Sequence, residues 1–163
     1  MRTERLIKYQ GTQTIDKHRC ARRTLQKILK GMNMDFLQPP GWVRPRGYSN
    51  GVAAKGRTIC VGGMIGWDGQ EQFHCDDIAG QTRQALQNIV EVLAEGGAKP
   101  EHIVRMTWYV VDKKEYVAAY KEIGAAYRDV IGKHFPAMAA VQVAGLIEDR
   151  ARVEIEVTAI VPE

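Results

Sequence analysis

Serine occurs once in 163 residues, at Ser49, and cysteine three times, at Cys20, Cys60 and Cys75. A lone serine outside any Gly-x-Ser-x-Gly elbow argues against a serine nucleophile. Three cysteines without Cys-x-x-Cys spacing argue against a disulfide framework and a structural zinc site, and they suit a reducing cytoplasm. There are 16 glycines and 6 prolines, too few for a low-complexity chain. No apolar run approaches the roughly 18 residues that a membrane span requires. No charged-then-apolar leader with a small-residue cleavage site opens the sequence, which argues against secretion. What remains is 45% hydrophobic and 26% charged, and at about 100–200 residues per domain it predicts one globular domain with its own core.

The net charge of +4 is unevenly spread. Residues 1–33 hold nine basic residues against Glu4 and Asp16, so this arm carries +7 and the remaining residues carry −3. The body therefore lacks the basic face that nucleic-acid binding uses. Residues 14–32 read as a short basic helix with a thin stripe of Ile15, Leu25, Ile28 and Leu29, and Gly31 is placed to end it. Pro39, Pro40, Gly41 and Pro45 then make residues 33–47 a linker or an extended lead-in. The composition changes at Met32–Met34, and either methionine is a plausible start for the folded body.

Beyond that boundary the pattern is regular. Residues 52–54 and 58–61 are β-prone runs flanking Lys55-Gly56, read as a two-residue hairpin turn. After the loop GGMIGWDGQEQFHCDD, Asp76 or Asp77 caps a helix with the stripe Ile78, Thr82, Ala85, Leu86, Ile89, Val90 and Leu93, closed by Gly96-Gly97. Residues 103–111 form a strand. Asp112 caps a second helix carrying Tyr116, Tyr120, Ile123, Tyr127 and Val130 on one face and ending near Gly132. Residues 139–144 and 152–160 are the last strands. The predicted order is β-β-α-β-α-β-β, an α+β two-layer sandwich with a mixed sheet and two helices on one face. IVRMTWYVV reads as apolar on both faces, with Val104, Met106, Trp108 and Val110 on one and Ile103, Thr107, Tyr109 and Val111 on the other. Two helices cover one face only, so the other is expected against a second copy of the chain.

Several segments invite a chemical reading. Gly62-Gly63-Met64-Ile65-Gly66 follows a strand, but no helix follows closely and no Lys-Ser/Thr is present, so Rossmann and P-loop readings fail. Adjacent glycines there either let a ligand approach the backbone or mark a bulge. His74-Cys75-Asp76-Asp77 offers metal-ligand types, but consecutive residues seldom converge on one ion and no second cluster lies at ligand spacing, so no metal is expected. His102, before a strand, and His134, after a helix where a cationic side chain suits the dipole, both read as structural. In RVEIEVTAI, Glu154 and Glu156 share a face with Thr158, opposite Val153, Ile155, Val157 and Ala159. They are either solvated edge residues or, where a neighbouring subunit covers them, cleft carboxylates of raised pKa fit for acid–base work.

Five pieces, taken in order, are similar to one family: GYSNGV at 47–52, TICVGG at 58–63, QTRQALQN at 81–88, FPA at 135–137 and VEIE at 153–156. Residues 47–161 resemble the Rid family, also called YjgF, endoribonuclease L-PSP-like or liver perchloric-acid-soluble proteins. The resemblance makes residues 47–163 a Rid-like domain and residues 1–46 a basic arm with a Pro-rich linker. It implies a chorismate-mutase-like fold and a cytoplasmic homotrimer with small-molecule clefts between subunits. Active members are hydrolases: they deaminate enamines and imines to ketoacids and ammonia without a cofactor. By that resemblance Glu154 positions or activates water, Gly63 supplies an N–H, Tyr48 stands at the mouth and Ala140 offers a backbone contact. The family's carboxylate-binding arginine directly follows Phe-Pro-Ala, where this chain has Met138, which brings neither charge nor donor. Met64, Trp67 and Met138 then imply a more apolar site for a bulkier or aromatic ligand, with Arg44 or Arg46 as replacement cation. The leading reading is an enamine or imine deaminase. The alternatives are a non-catalytic ligand-binding or regulatory trimer, and a ribonuclease or translation inhibitor, against which the acidic body and the lack of a histidine pair weigh.

The arm's thin apolar stripe and one-sided charge give it little area to bury. Deleting residues 1–33 is expected to leave the melting temperature within a few degrees of the full chain. A large drop in a thermal melt would instead mean that the arm docks on the body.

Overall fold

The structure, a computed structural model, describes residues 34–163. The expected basic helix at 14–32 lies outside the described residues. Strand β1 (Met34–Leu37) pairs antiparallel with β2 (Gly51–Ala54), Phe36 opposite Val52. There follow β3 (Arg57–Met64), α1 (Ile78–Glu95), a 3-10 turn at Pro100–His102, β4 (Ile103–Val110), α2 (Lys113–Ala118), α3 (Tyr120–Val130), β5 (Ala137–Gln142) and β6 (Val153–Val161). The main sheet has the order β3-β6-β4-β5, with β4 and β5 parallel and the other pairs antiparallel.

The mixed sheet with helices on one face is as expected, but the element order differs in three places. β1 lies within the stretch read as linker. Its four residues precede Pro39-Pro40-Gly41, and that punctuation obscured so short a strand. The expected hairpin at Lys55-Gly56 does not form. β2 pairs with β1 while β3 turns away to pair with β6, Arg57 opposite Val161. Gly56, at φ +151°, passes so close to the Val161 carbonyl that a Cβ there would overlap it. The second helix is two, divided at Ala119 (φ −92°, ψ 13°).

Local signals explain the helices well. Asp77 Oδ1 accepts from the Gly80 N–H at 2.8 Å, the N-cap bond that the first turn of α1 lacks internally. At the other end the Gly97 N–H donates to Ala94 O and the Ala98 N–H to Leu93 O, with Gly97 at φ +69°, a Schellman closure. Asp112 Oδ1 accepts from the Lys114 and Glu115 N–H groups and starts α2. Ile78, Ala85, Leu86, Ile89 and Leu93 of α1 meet Ile123 and Tyr127 of α3 over Val153, Ile155 and Val157 of β6.

One buried polar residue ties the loops to this core. Gln81 is fully buried; its amide donates to Cys75 O at 3.1 Å and Arg150 O at 3.0 Å, and its Oε1 accepts from the Arg152 N–H at 2.7 Å. It thereby anchors the residues leading into β6 to α1. Gly66 passes so near that a Cβ there would overlap Gln81. His134 is mostly buried with Nε2 2.6 Å from Ile103 O, and burial lowers its pKa, so it is a neutral buried link rather than a cation on a helix dipole. Among the described residues no helix is long and apolar enough to cross a membrane.

Replacing Gln81 by Leu keeps the volume and takes from three partly buried backbone groups the partner that Gln81 gives them. At about 1–3 kcal/mol for each group left unsatisfied, less what water recovers, Gln81→Leu is expected to cost roughly 2–4 kcal/mol in urea denaturation. A loss under about 1 kcal/mol would mean that water replaces the amide freely.

Candidate functional site

β6 alternates strictly. Val153, Ile155, Val157 and Ala159 are buried beneath the helices, and Glu154, Glu156 and Thr158 are half-buried on the opposite face. The ladder between β3 and β6 is irregular between Val61 and Met64, so Gly62-Gly63 form a bulge. A Cβ on Gly63 would overlap the Glu154 carboxylate. The missing side chain thus lets that carboxylate lie directly over the backbone of β3. Sequence reasoning left ligand approach and bulge as alternatives for this glycine pair, and the two coincide here.

Farther along the same face the Tyr109 hydroxyl donates to Glu156 Oε1 at 3.2 Å. Desolvation, then the Glu156 charge, holds the Tyr109 hydroxyl above its usual range. Cys60, Arg105, Thr107, Glu156 and Thr158 line a depression of about 240 Å³. This face is polar, against the expectation from IVRMTWYVV. A register shift between Ile103 and Arg105 moves Ile103 onto the core side with Met106, Trp108 and Val110, and leaves Arg105, Thr107 and Tyr109 on the other.

Tyr48, Met138 and Ala140 are elsewhere. They line a cavity of about 730 Å³ between the β5 edge and α2–α3, whose walls also include Arg46, Trp108 and Tyr120. Ser49 holds this corner: its N–H donates to Pro136 O at 2.9 Å and its hydroxyl to Phe135 O at 2.6 Å. Met138 lies beside Met106 in the parallel ladder and packs on the core. Of the two arginines considered as replacement cation, Arg46 lines the cavity and Arg44 does not. Sequence reasoning missed Arg128, Lys113 and the aromatic wall. Its signal was the Tyr116, Tyr120, Tyr127 stripe, which reads equally as core.

Within one chain the expected site residues therefore form two groups. Gly63 and Glu154 lie on β3 and its neighbour; Tyr48, Met138 and Ala140 lie at β5, the opposite edge of the four-stranded sheet. Three strand spacings of about 4.8 Å separate the edges by roughly 14 Å. Trp67 joins neither group: it bridges to Phe73, ring centroids 6.1 Å apart, and its carbonyl accepts from Asn88 Nδ2 at 2.7 Å. The His74–Asp77 run is engaged locally. His74 Nε2 lies 2.6 Å from Asp68, a hydrogen bond that holds the Asp68 carboxyl below its usual range, and Asp76 pairs with Arg150 at 2.8 Å.

Comparison with known proteins gives a consistent picture. The family model described as Endoribonuclease L-PSP matches residues 43–161. A human 2-iminobutanoate/2-iminopropanoate deaminase is 34% identical over 122 residues, 74% of this chain and 83% of that protein. A protein of the same description from Salmonella typhimurium is 30% identical, covering 69% of this chain and 86% of its own. The crystal structure of a Rid-family protein of unknown function from Yersinia pestis superposes with a TM-score of 0.68 at 31% identity, covering 80% of this chain and all of that one. With the match spanning the sheet, the helices and both groups of site residues, the chain belongs to the Rid (YjgF, endoribonuclease L-PSP) family.

Proposed function

We propose that this protein is a cofactor-independent deaminase of enamine or imine intermediates, acting in a cleft between two copies of the chain. The observation that carries this reading is the division of the site. A copy presenting its β5 edge to the β3 edge of another would bring Met138, Ala140 and Tyr48 to Gly63 and Glu154. Such an edge-to-edge contact uses two different surfaces, and it makes a ring when the rotation between copies closes; the resemblance implies a ring of three. The deaminase descriptions of relatives at 30–34% identity support the chemistry.

In this reading the imine carbon takes the oxygen of one water. Glu154 accepts a proton from that water as the C–O bond forms and returns it to the nitrogen, and the hydroxyl proton of the resulting carbinolamine then passes through the same carboxylate to the nitrogen, leaving Glu154 ionised. The C–N bond then breaks, and ammonia and a ketone are released. No oxidant or reductant is consumed. A positioned general base contributes about 10²–10⁴ in rate, so Glu154→Ala is expected to cut hydrolysis at least a hundredfold. Gly63→Ala should displace the same carboxylate while leaving the melting temperature nearly unchanged, because the clashing atoms are the far end of a flexible side chain.

Met138 leaves a small substrate's carboxylate without the family's guanidinium. A hydrogen bond to a charged group contributes about 1.5–3 kcal/mol, roughly one to two orders of magnitude. The wild type is expected to be slow with 2-iminopropanoate, and Met138→Arg to be at least tenfold faster, with the gain lost in Met138→Arg/Glu154→Ala. Imines generated in situ by an amino-acid oxidase provide the assay. No hydrolysis in any variant would favour a ligand-binding protein instead. For the assembly, light scattering at micromolar concentration should give three times the chain mass, and a monomer there would overturn the shared cleft.

A further inference from the structure

The 730 Å³ cavity has a composition of its own. Its lining is rich in aromatic side chains and includes three cations, Arg46, Lys113 and Arg128, but no carboxylate. Among the described residues none of the three cations forms an ion pair. Its volume falls within the range of small-molecule sites, about 300–1,000 Å³.

Two details indicate what this space suits. Trp108 lines the cavity and is 1% exposed, yet its indole N–H is buried and finds no acceptor among the described residues. A buried donor without a partner is costly, and a ligand oxygen is one way to satisfy it. The second detail is Gly124. Glycine inside a helix costs about 1 kcal/mol relative to alanine, and here it stands mid-way in α3 between Tyr120 and Arg128. A Cβ at Gly124 would come 3.3 Å from Arg128 Nη1. The guanidinium therefore lies back over Gly124, along the wall of the cavity. Tyr116 and Tyr120 stand edge to face, centroids 5.1 Å apart, and Tyr116 meets Trp108 the same way at 6.3 Å. These rings offer the edges and faces on which another ring packs.

We propose that this cavity binds an aromatic carboxylate, its ring against Trp108, Tyr116 and Tyr120 and its carboxylate on Arg46 and Arg128. The indole N–H of Trp108 donates to a ligand oxygen. Together these groups replace the clamp that Met138 cannot provide. Joined to the deaminase reading, on which this part rests, the substrate class is the 2-imino acids with an aryl side chain. The binding proposal itself does not depend on catalysis.

Calorimetric titration of the full-length protein separates the two. Three probes are compared: 3-phenylpropanoate, propanoate without the ring, and 3-phenylpropan-1-ol without the charge. The first is expected to bind at least tenfold tighter than either of the others. Arg46→Gln/Arg128→Gln, both exposed positions, should remove that advantage while leaving the alcohol's affinity unchanged. Trp108→Phe keeps a ring, removes the N–H and should weaken 3-phenylpropanoate several-fold. Equal affinity for acid and alcohol, or a double arginine variant that binds the acid as the wild type does, would overturn the site. Binding as expected together with no imine hydrolysis would retain the site and reject the deaminase reading.

Discussion

The alternation of β6 governs the rest of the molecule. It is an interior strand, hydrogen-bonded to β3 on one side and β4 on the other. Its odd-numbered residues from Val153 to Ala159 form the floor on which α1 and α3 rest. The same two-residue period sends Glu154 and Glu156 to the far face. A slip of one residue would bury two carboxylates under Leu86 and Ile89 and expose the apolar floor, so the register is strongly specified. Gln81 fixes the beginning of this strand by holding the Arg152 N–H and the Arg150 carbonyl. The position of Glu154 is thus set by the core, not by the surface around it.

From that strand the two halves of the candidate site diverge for geometric reasons. Glu154 reaches β3 because β6 and β3 are neighbours and Gly63 leaves room for its carboxylate. Met138 and Ala140 follow a parallel strand at the opposite edge, brought there by the crossover through α2 and α3. One half is acidic and rests on a glycine backbone; the other is aromatic and cationic. In the cleft we propose, the two would complement each other: a carboxylate to handle water on one side, cations and rings to hold an organic anion on the other.

Much of this was legible in the sequence where a pattern was long and local. The stripe from Ile78 to Leu93, its aspartate cap and its glycine close are all in the structure, as is the alternation of RVEIEVTAI. β1 was not legible, because four residues ahead of two prolines carry too little periodicity. The faces of β4 were misread because a register shift at its first residues puts Ile103, rather than Val104, in line with Met106. The Lys55-Gly56 hairpin was a sound local inference overruled by long-range pairing of β3 with β6. Gly63 and Glu154 stood out through the glycine pair and the strand alternation, and the roles assigned to them came from the motif resemblance. That Trp108 shares a cavity with Gly124 and Arg128 was not legible, since no spacing rule connects this strand residue to that helix.

The pairing of Arg57 with Val161 also has a consequence for the time course of synthesis. Among the described residues β6 is the only strand to which β3 is hydrogen-bonded, and their paired ends are 104 residues apart, from 57 to 161. At about 5–20 residues per second, a ribosome needs roughly 5–20 seconds to deliver the second after the first. Throughout that interval β3 is an unpaired edge with Ile59 and Val61 uncovered, and α1 has no floor to settle on. The nascent chain exposes this unpaired edge to chaperones until its central strand emerges, and only then do β3 and β4 acquire the strand that both pair with.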